Sequence, residues 1–190
     1  MQIEANAALI IVDVQKGLDE AAYYGGNRNN PGAEANIAEL LSAWRSTQRP
    51  IFHIKHNSTE AQSPLRPGQP GNDIKPEAAP LNAEPVIEKT VNSAFIGTDL
   101  EERLRAAGIS QVVITGLTTN HCVSTTTRMA GNLGFRTILV GDATATFDRA
   151  GVDGIRISAQ VIHDAELATL NGEFATVLDT QEILNRIPKS

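Results

Sequence analysis

Apolar positions along the chain follow two periods. Residues 7–13 (AALIIVD) form a continuous apolar run closed by an acid, the pattern of a strand buried on both faces of a parallel sheet. Ile37, Leu40, Leu41 and Trp44 then recur at i, i+3, i+4 and i+7, which marks one face of a helix. Pro50 opens a second strand over 51–55, and 86–89 is a short third strand. Leu100, Leu104 and Ala107 define a helix that Gly108 stops. A fourth strand covers 111–116 (QVVITG), and a helix over about 121–133 ends near Gly134. A fifth strand (137–140), a helix (153–170) and a sixth strand (175–178) follow. The terminal helix, 180–186, is capped at its start by Asp179 or Thr180.

Strands that alternate with helices imply βαβ units with right-handed crossovers, hence an α/β protein with three α/β/α layers and a six-stranded parallel sheet. The strand order expected is 3-2-1-4-5-6, with strands one and four adjacent where the winding reverses. Ligands of such sheets bind outside the carboxyl ends of the strands at that point, and Asp13 and Cys122 both fall beside it. Residues 57–85 differ in kind, being rich in Pro, Gly, Gln and Asn without periodicity. A structureless loop this long inside a compact domain tends to be functional, so a lid is expected there. At 190 residues the chain is expected to form a single domain, 1–190.

Charge and cysteine content narrow the function. Sixteen basic against 22 acidic residues give a net charge of −6, and no Lys/Arg cluster overrides it, so neither nucleic acid nor a membrane surface is an expected partner. The apolar run near the start is too short to span a bilayer, and the residues before it carry Glu4 and no basic flank, so the expected location is cytoplasmic. The single cysteine excludes an internal disulfide and every multi-cysteine zinc pattern.

Cys122 sits where the fourth strand hands over to a helix that Thr119 or Asn120 can cap. A thiol in a first helical turn feels the positive end of the macrodipole, which favours thiolate; the alternative is a small packing residue. Asp13, ending an apolar strand, is a credible base, though an acid there can equally hold Mg²⁺, accept a phosphoryl group or bond a loop amide. Lys89 could supply fixed positive charge to an anion or simply be solvated. His53 and His56 lie three apart in a strand and point to opposite faces, so they cannot clasp one metal; His56 is expected to face the pocket and His53 the core. His121 could line the pocket, and His163 reads as a packing or surface residue. The string Gly131-Asn-Leu-Gly134 ends a helix and is no dinucleotide fingerprint, and Thr125, Thr126 and Thr127 read as packing.

Three separated segments carry a resemblance: Asp13-Val-Gln15, Glu88-Lys89-Thr-Val-Asn-Ser93-Ala-Phe95, and Gly116-Leu-Thr-Thr-Asn-His-Cys122. Through them the chain resembles the isochorismatase-like cysteine hydrolases over residues 7–178. The resemblance implies a catalytic triad of Asp13, Lys89 and Cys122, a cis peptide at Leu117–Thr118, and an oxyanion hole from the backbone N–H groups of Thr118 and Cys122. It also implies a homo-oligomer, dimer or tetramer. Family members that hydrolyse C–N bonds keep the cysteine, so a small carboxamide or lactam is the expected substrate, cleaved through a thioester. A vinyl ether hydrolase that does not need the thiol, or a silent binding module, are the alternatives. The metal site of nicotinamidase-like members has no matching Asp-x-His here, so no metal and no cofactor are expected. His56, Ser58, Phe95, Thr119 and His121 are expected pocket walls, and the long lid resembles the branch that includes streptothricin hydrolase.

Overall fold

The computed structural model describes residues 2–81 and 83–187; residue 82, inside the expected lid, and residues 1 and 188–190, at the ends of the expected domain, lie outside the described residues. In chain order the elements are β1 (Ala8–Val12), α1 (Ala21–Tyr24), α2 (Ala33–Ser46), β2 (Ile51–His56), β3 (Val86–Lys89), α3 (Leu100–Ala106), β4 (Gln111–Leu117), α4 (Ser124–Asn132), β5 (Arg136–Ala145), β6 (Arg149–Ala150), β7 (Arg156–Ile157), α5 (Ala159–Leu170), β8 (Thr176–Leu178) and α6 (Thr180–Arg186).

Six strands pair in the order β3-β2-β1-β4-β5-β8, every ladder parallel. This is the expected 3-2-1-4-5-6 sheet, with β8 as its sixth strand. Every residue of β1 and β4 is buried, because alternate side chains enter two different cores. Leu9, Ile11 and Val113 pack with Ile37, Leu40, Leu41 and Trp44 of α2 and Ile183 of α6. Ile10, Val12, Val112 and Ile114 pack on the other face with Leu100 and Leu104 of α3 and Ala130 of α4. A side chain of this size contributes about 1.5–3 kcal/mol when fully buried, so both faces must be covered and the run shows no polar alternation. Trp44 is fully buried, and its indole N–H donates to Ala7 O at 2.9 Å.

Two expected elements shift. The fifth strand continues to Ala145 instead of stopping at 140, and residues 153–157, expected as the start of a helix, lie instead in the turn and second strand of the antiparallel pair β6–β7. Helix α5 starts only at Ala159, capped by the Ser158 side chain. Asp148 decides this boundary: Oδ1 accepts the Ala159 N–H while Oδ2 accepts from Asn27 and Arg156, so backbone ahead of the cap is held in a turn. At α6, Asp179 is the cap, in a reciprocal box with Glu182.

Among the described residues the 57–85 segment carries two short 3-10 turns, Pro70–Asn72 and Pro76–Ala78, and it is firmly sewn to the strand ends. Buried Gln15 donates to His56 O and Asn72 O and accepts the His56 N–H at 2.8 Å. Asn72 donates to His56 O and Leu65 O, and the Lys75 N–H donates to Val14 O. These bonds replace a sheet ladder in satisfying buried backbone, which makes the segment a fixed wall.

Candidate active site

Three chain segments converge at the carboxyl ends of β1, β3 and β4. The chain leaves β1 at Asp13 in the left-handed region, φ 51°, a conformation that Asp tolerates better than most residues. Next to it Gly116 has φ 121°, and an added Cβ there would lie 2.0 Å from Val12 O. Only glycine lets β4 approach β1 this closely at the switch point. The Leu117–Thr118 peptide that follows is cis. Residues Thr119–Val123 then make a π-helical turn before α4, with His121 and Val123 N–H groups both donating to Thr118 O.

No side chain caps that turn. Thr119 and Asn120, the expected caps, are engaged elsewhere: Thr119 Oγ1 meets His163 Nδ1 at 2.9 Å, and Asn120 accepts from Thr146. His163, buried and also bonded to Asn30, is a packing residue. His53 is buried against Glu84 at 2.8 Å, and Thr126 accepts the Ala94 N–H.

Lys89 and Asp13 form a buried ion pair at 2.6 Å, with side chains 0% and 2% exposed. Lys89 Nζ also lies 3.1 Å from His56 Nδ1. An ammonium only donates, so Nδ1 accepts and the ring proton sits on Nε2. Burial lowers the His56 pKa, and the Lys89 charge lowers it further, so the ring is neutral. The second Asp13 oxygen, Oδ1, is buried without a partner. Asp13, His56 and Cys122 offer donor atoms that all lie within 4.8 Å of one another, which brings the thiol beside the Asp13 carboxylate. Asn92 Oδ1 lies 3.9 Å from the sulfur.

The thiolate expected from the helix position is corrected by this arrangement. Burial pushes the Cys122 thiol above its ordinary value, the Asp13 carboxylate adds to the rise, and the Lys89 ammonium only partly opposes it. Lys89, already paired with Asp13, supports a thiolate less than the helix position suggested.

A cavity of about 180 Å³ opens over the thiol. Its polar wall includes Asp13, His56, Ser58, Asn92, Thr118 and His121, and its apolar wall Leu18, Tyr24, Leu65, Leu117 and Phe147. His56, Ser58 and His121 therefore lie where the sequence placed them. Phe95 and Thr119 do not: Phe95 stacks on Phe135 with centroids 6.0 Å apart, and fully buried Thr119 is turned toward His163. Both follow a residue that faces the site or its loop, and the backbone turns them into the core. The sequence reading also passed over Tyr24, Asn92, Thr146, Phe147 and Arg149. Asn92 stood inside the Lys89–Phe95 motif and could have been found; the others come from irregular segments without periodic signal.

Asp13, His56 and Cys122, each expected beside the pocket, converge as a group of possible metal donors. They do not suit a dication, because the Lys89 ammonium sits among them and engages both Asp13 Oδ2 and His56 Nδ1. A second positive charge there would face that ammonium at close range.

Comparison with known proteins places the site in context. The isochorismatase domain family matches residues 7–182. An uncharacterized isochorismatase family protein of Bacillus subtilis is 48% identical over 188 residues, 99% of this chain and 100% of that protein. Streptothricin hydrolase of Streptomyces noursei is 32% identical over 78% of this chain and 58% of its own length. The crystal structure of a hydrolase assigned to the isochorismatase family of Chromobacterium violaceum superposes with a TM-score of 0.92 at 44% identity, covering 96% of this chain and 94% of the other. Among the described residues no helix is long and apolar enough to cross a membrane.

Proposed function

The chain belongs to the isochorismatase family of hydrolases, and from that premise we propose that it is a cysteine hydrolase opening the C–N bond of a small carboxamide or lactam. The observation that carries this reading is the Asp13 carboxylate beside the Cys122 thiol, with one of its oxygens, Oδ1, buried and unpartnered. A buried orphan acceptor costs about 1–3 kcal/mol, and here it is the atom that takes the thiol proton.

Asp13 accepts the proton as sulfur attacks the carbonyl carbon, so thiolate forms only as the C–S bond does. Lys89 holds the carboxylate in place and balances the negative charge. The carbonyl oxygen becomes an oxyanion held by the Thr118 and Cys122 N–H groups. Protonated Asp13 returns its proton to the nitrogen, the C–N bond breaks, and an amine or ammonia leaves a thioester on Cys122. Asp13 then deprotonates water, which attacks the thioester; the C–S bond breaks, the sulfur regains the proton, and a carboxylic acid departs.

The cavity size favours a small substrate, and the similarity to streptothricin hydrolase supports amide opening as the reaction class. A panel of small amides and lactams, read by amine release and by mass spectrometry of the intact protein, tests the proposal. Release together with an acyl adduct on Cys122 is the expected result. Turnover that survives Cys122→Ala would refute the thioester route and favour the vinyl ether hydrolase.

A further inference from the structure

A second unpartnered polar atom belongs to a residue that lines the same cavity, outside the machinery just described. The Tyr24 hydroxyl is buried with no hydrogen-bond partner, although its ring lines the cavity. The ring is held firmly: it stacks on Phe147 with centroids 5.1 Å apart and meets Tyr23 edge-on at 4.9 Å. The segment carrying it is clamped too, since an added Cβ at Gly25 would sit 2.2 Å from Asp148 O. Burial, followed by Tyr23, Glu20, Cys122 and Asp13, pushes the phenol above its ordinary pKa, so it remains a donor at neutral pH.

Arg149 lines the cavity as well. Among the described residues the guanidinium has no carboxylate partner and meets only His121, Nε2 at 2.8 Å. Burial and the Arg149 charge both lower the His121 pKa, so the ring is a neutral acceptor; Arg149 itself is exposed, and its charge is solvated but not paired with an acid. Tyr24 and Arg149 also share the adjoining surface depression with Gly25 and Asp148. Apart from Asp13, which Lys89 already pairs, no acid lines the cavity.

We propose that Tyr24 and Arg149 form a second anchor in the cavity that binds an anionic substituent of the substrate, so that the substrate is a small amide carrying a carboxylate. This deepens the amidohydrolase reading and rests on it for the word substrate, but the anchor itself is a binding site that can be tested without turnover. A rigid neutral donor and an unpaired guanidinium suit a carboxylate, whose oxygens accept from both. A neutral alkyl group in its place would leave both donors unmet, and sites built to hydrogen-bond a group reject analogues that lack it.

Succinamate and butanamide differ chiefly by a carboxylate in place of a methyl group. Titrating both into the Cys122→Ala protein by calorimetry reads binding without chemistry. The expected result is succinamate binding tighter by about ten-fold or more, as a charge-assisted hydrogen bond allows. Tyr24→Phe and Arg149→Gln, each in that background, should each cut the preference several-fold. Tyr24→Phe should also leave the melting temperature equal or higher, because it deletes a hydroxyl that has no partner. A merely structural hydroxyl would lower it. Equal affinity for the two probes, no binding of either, or an undiminished preference in Tyr24→Phe would overturn the anchor. Absence of amine release by the wild-type protein, with the preference intact, would overturn only the hydrolase reading.

Discussion

Two buried lysines stand near the cavity, and they are used in opposite ways. Lys75, whose side chain is 6% exposed, joins the 57–85 segment to Asp19 and to Glu34, and Glu34 also takes both guanidinium nitrogens of Arg28 at 2.8 and 2.7 Å. Each charge in that network has an opposite partner. Lys89 is buried more deeply but has one carboxylate oxygen and a neutral imidazole, and its partner Asp13 keeps a free oxygen next to a thiol. A saturated pair holds the scaffold, whereas a pair with spare valence is available for chemistry. Breaking the first should cost stability, and breaking the second should cost activity.

The largest effect is expected at the thiol. Cys122→Ala should lower turnover by more than about 10³-fold, since the chain holds no second thiol to take over the attack, while the denaturant midpoint stays near the wild-type value. Asp13→Asn follows, with a loss of about 10²–10⁴-fold expected for a general acid-base group. It also leaves Lys89 charged and unpaired inside the protein, at a cost of about 3–5 kcal/mol, so urea unfolding should show a clear drop. The shape match of Asn does not rescue it, and an Asp13→Asn protein of normal stability would contradict the buried pair.

The scaffold network should report itself in acid. Burial alone would raise the Glu34 pKa, but hydrogen bonds from Arg28 and Lys75 override it and hold the carboxyl at about 2, against an ordinary 4.5. A depressed folded-state pKa contributes stability above the unfolded value that is lost as pH falls from about 4.5 towards 2, worth about 3 kcal/mol in all. Chemical unfolding across that range should show the loss, and Glu34→Gln should flatten it. Lys75→Met should destabilise by about 1–3 kcal/mol, less than Asp13→Asn because Arg28 still neutralises Glu34 and Asp19 reaches solvent, with kcat changed by no more than about two-fold. A large fall in kcat at unchanged stability would erase the contrast between the two lysines. The smallest effect concerns reactivity: with its thiol raised in pKa beside a carboxylate, Cys122 should alkylate with iodoacetamide about ten-fold more slowly at neutral pH than a free cysteine. Faster alkylation would mean that Lys89 serves the sulfur before it serves Asp13.

The contrast was only partly legible in the chain. Asp13 and Cys122 were readable as candidates because they close or follow strongly patterned strands at the switch point, whereas Lys89 closes the short edge strand β3 and was joined to them by the resemblance. The ionisation state of the thiol was not, because the helix position argued for thiolate while burial and Asp13, both tertiary, argue against it. Phe95 and Thr119 were misplaced for the same reason: closeness in sequence to a site says nothing of which way an irregular turn directs a side chain. Residues 153–157 read as the start of a helix because their apolar positions allow it, and Asp148 with its three partners, Asn27, Arg156 and Ala159, overrides that local preference.

By itself the sequence determined the six parallel strands, their order and the crevice where they part, because burial on two faces leaves a period that any stretch of the chain displays. The tertiary structure alone decided that the 57–85 segment is a fixed wall bonded through Gln15 and Asn72, that Tyr24, Phe147 and Arg149 complete the cavity, and that Asp13 keeps one oxygen free. Those outcomes depend on which polar groups meet after the chain is folded. Hydrogen bonding between residues far apart in sequence has no period to read, so only the assembled molecule shows where a donor or acceptor has been left without a partner.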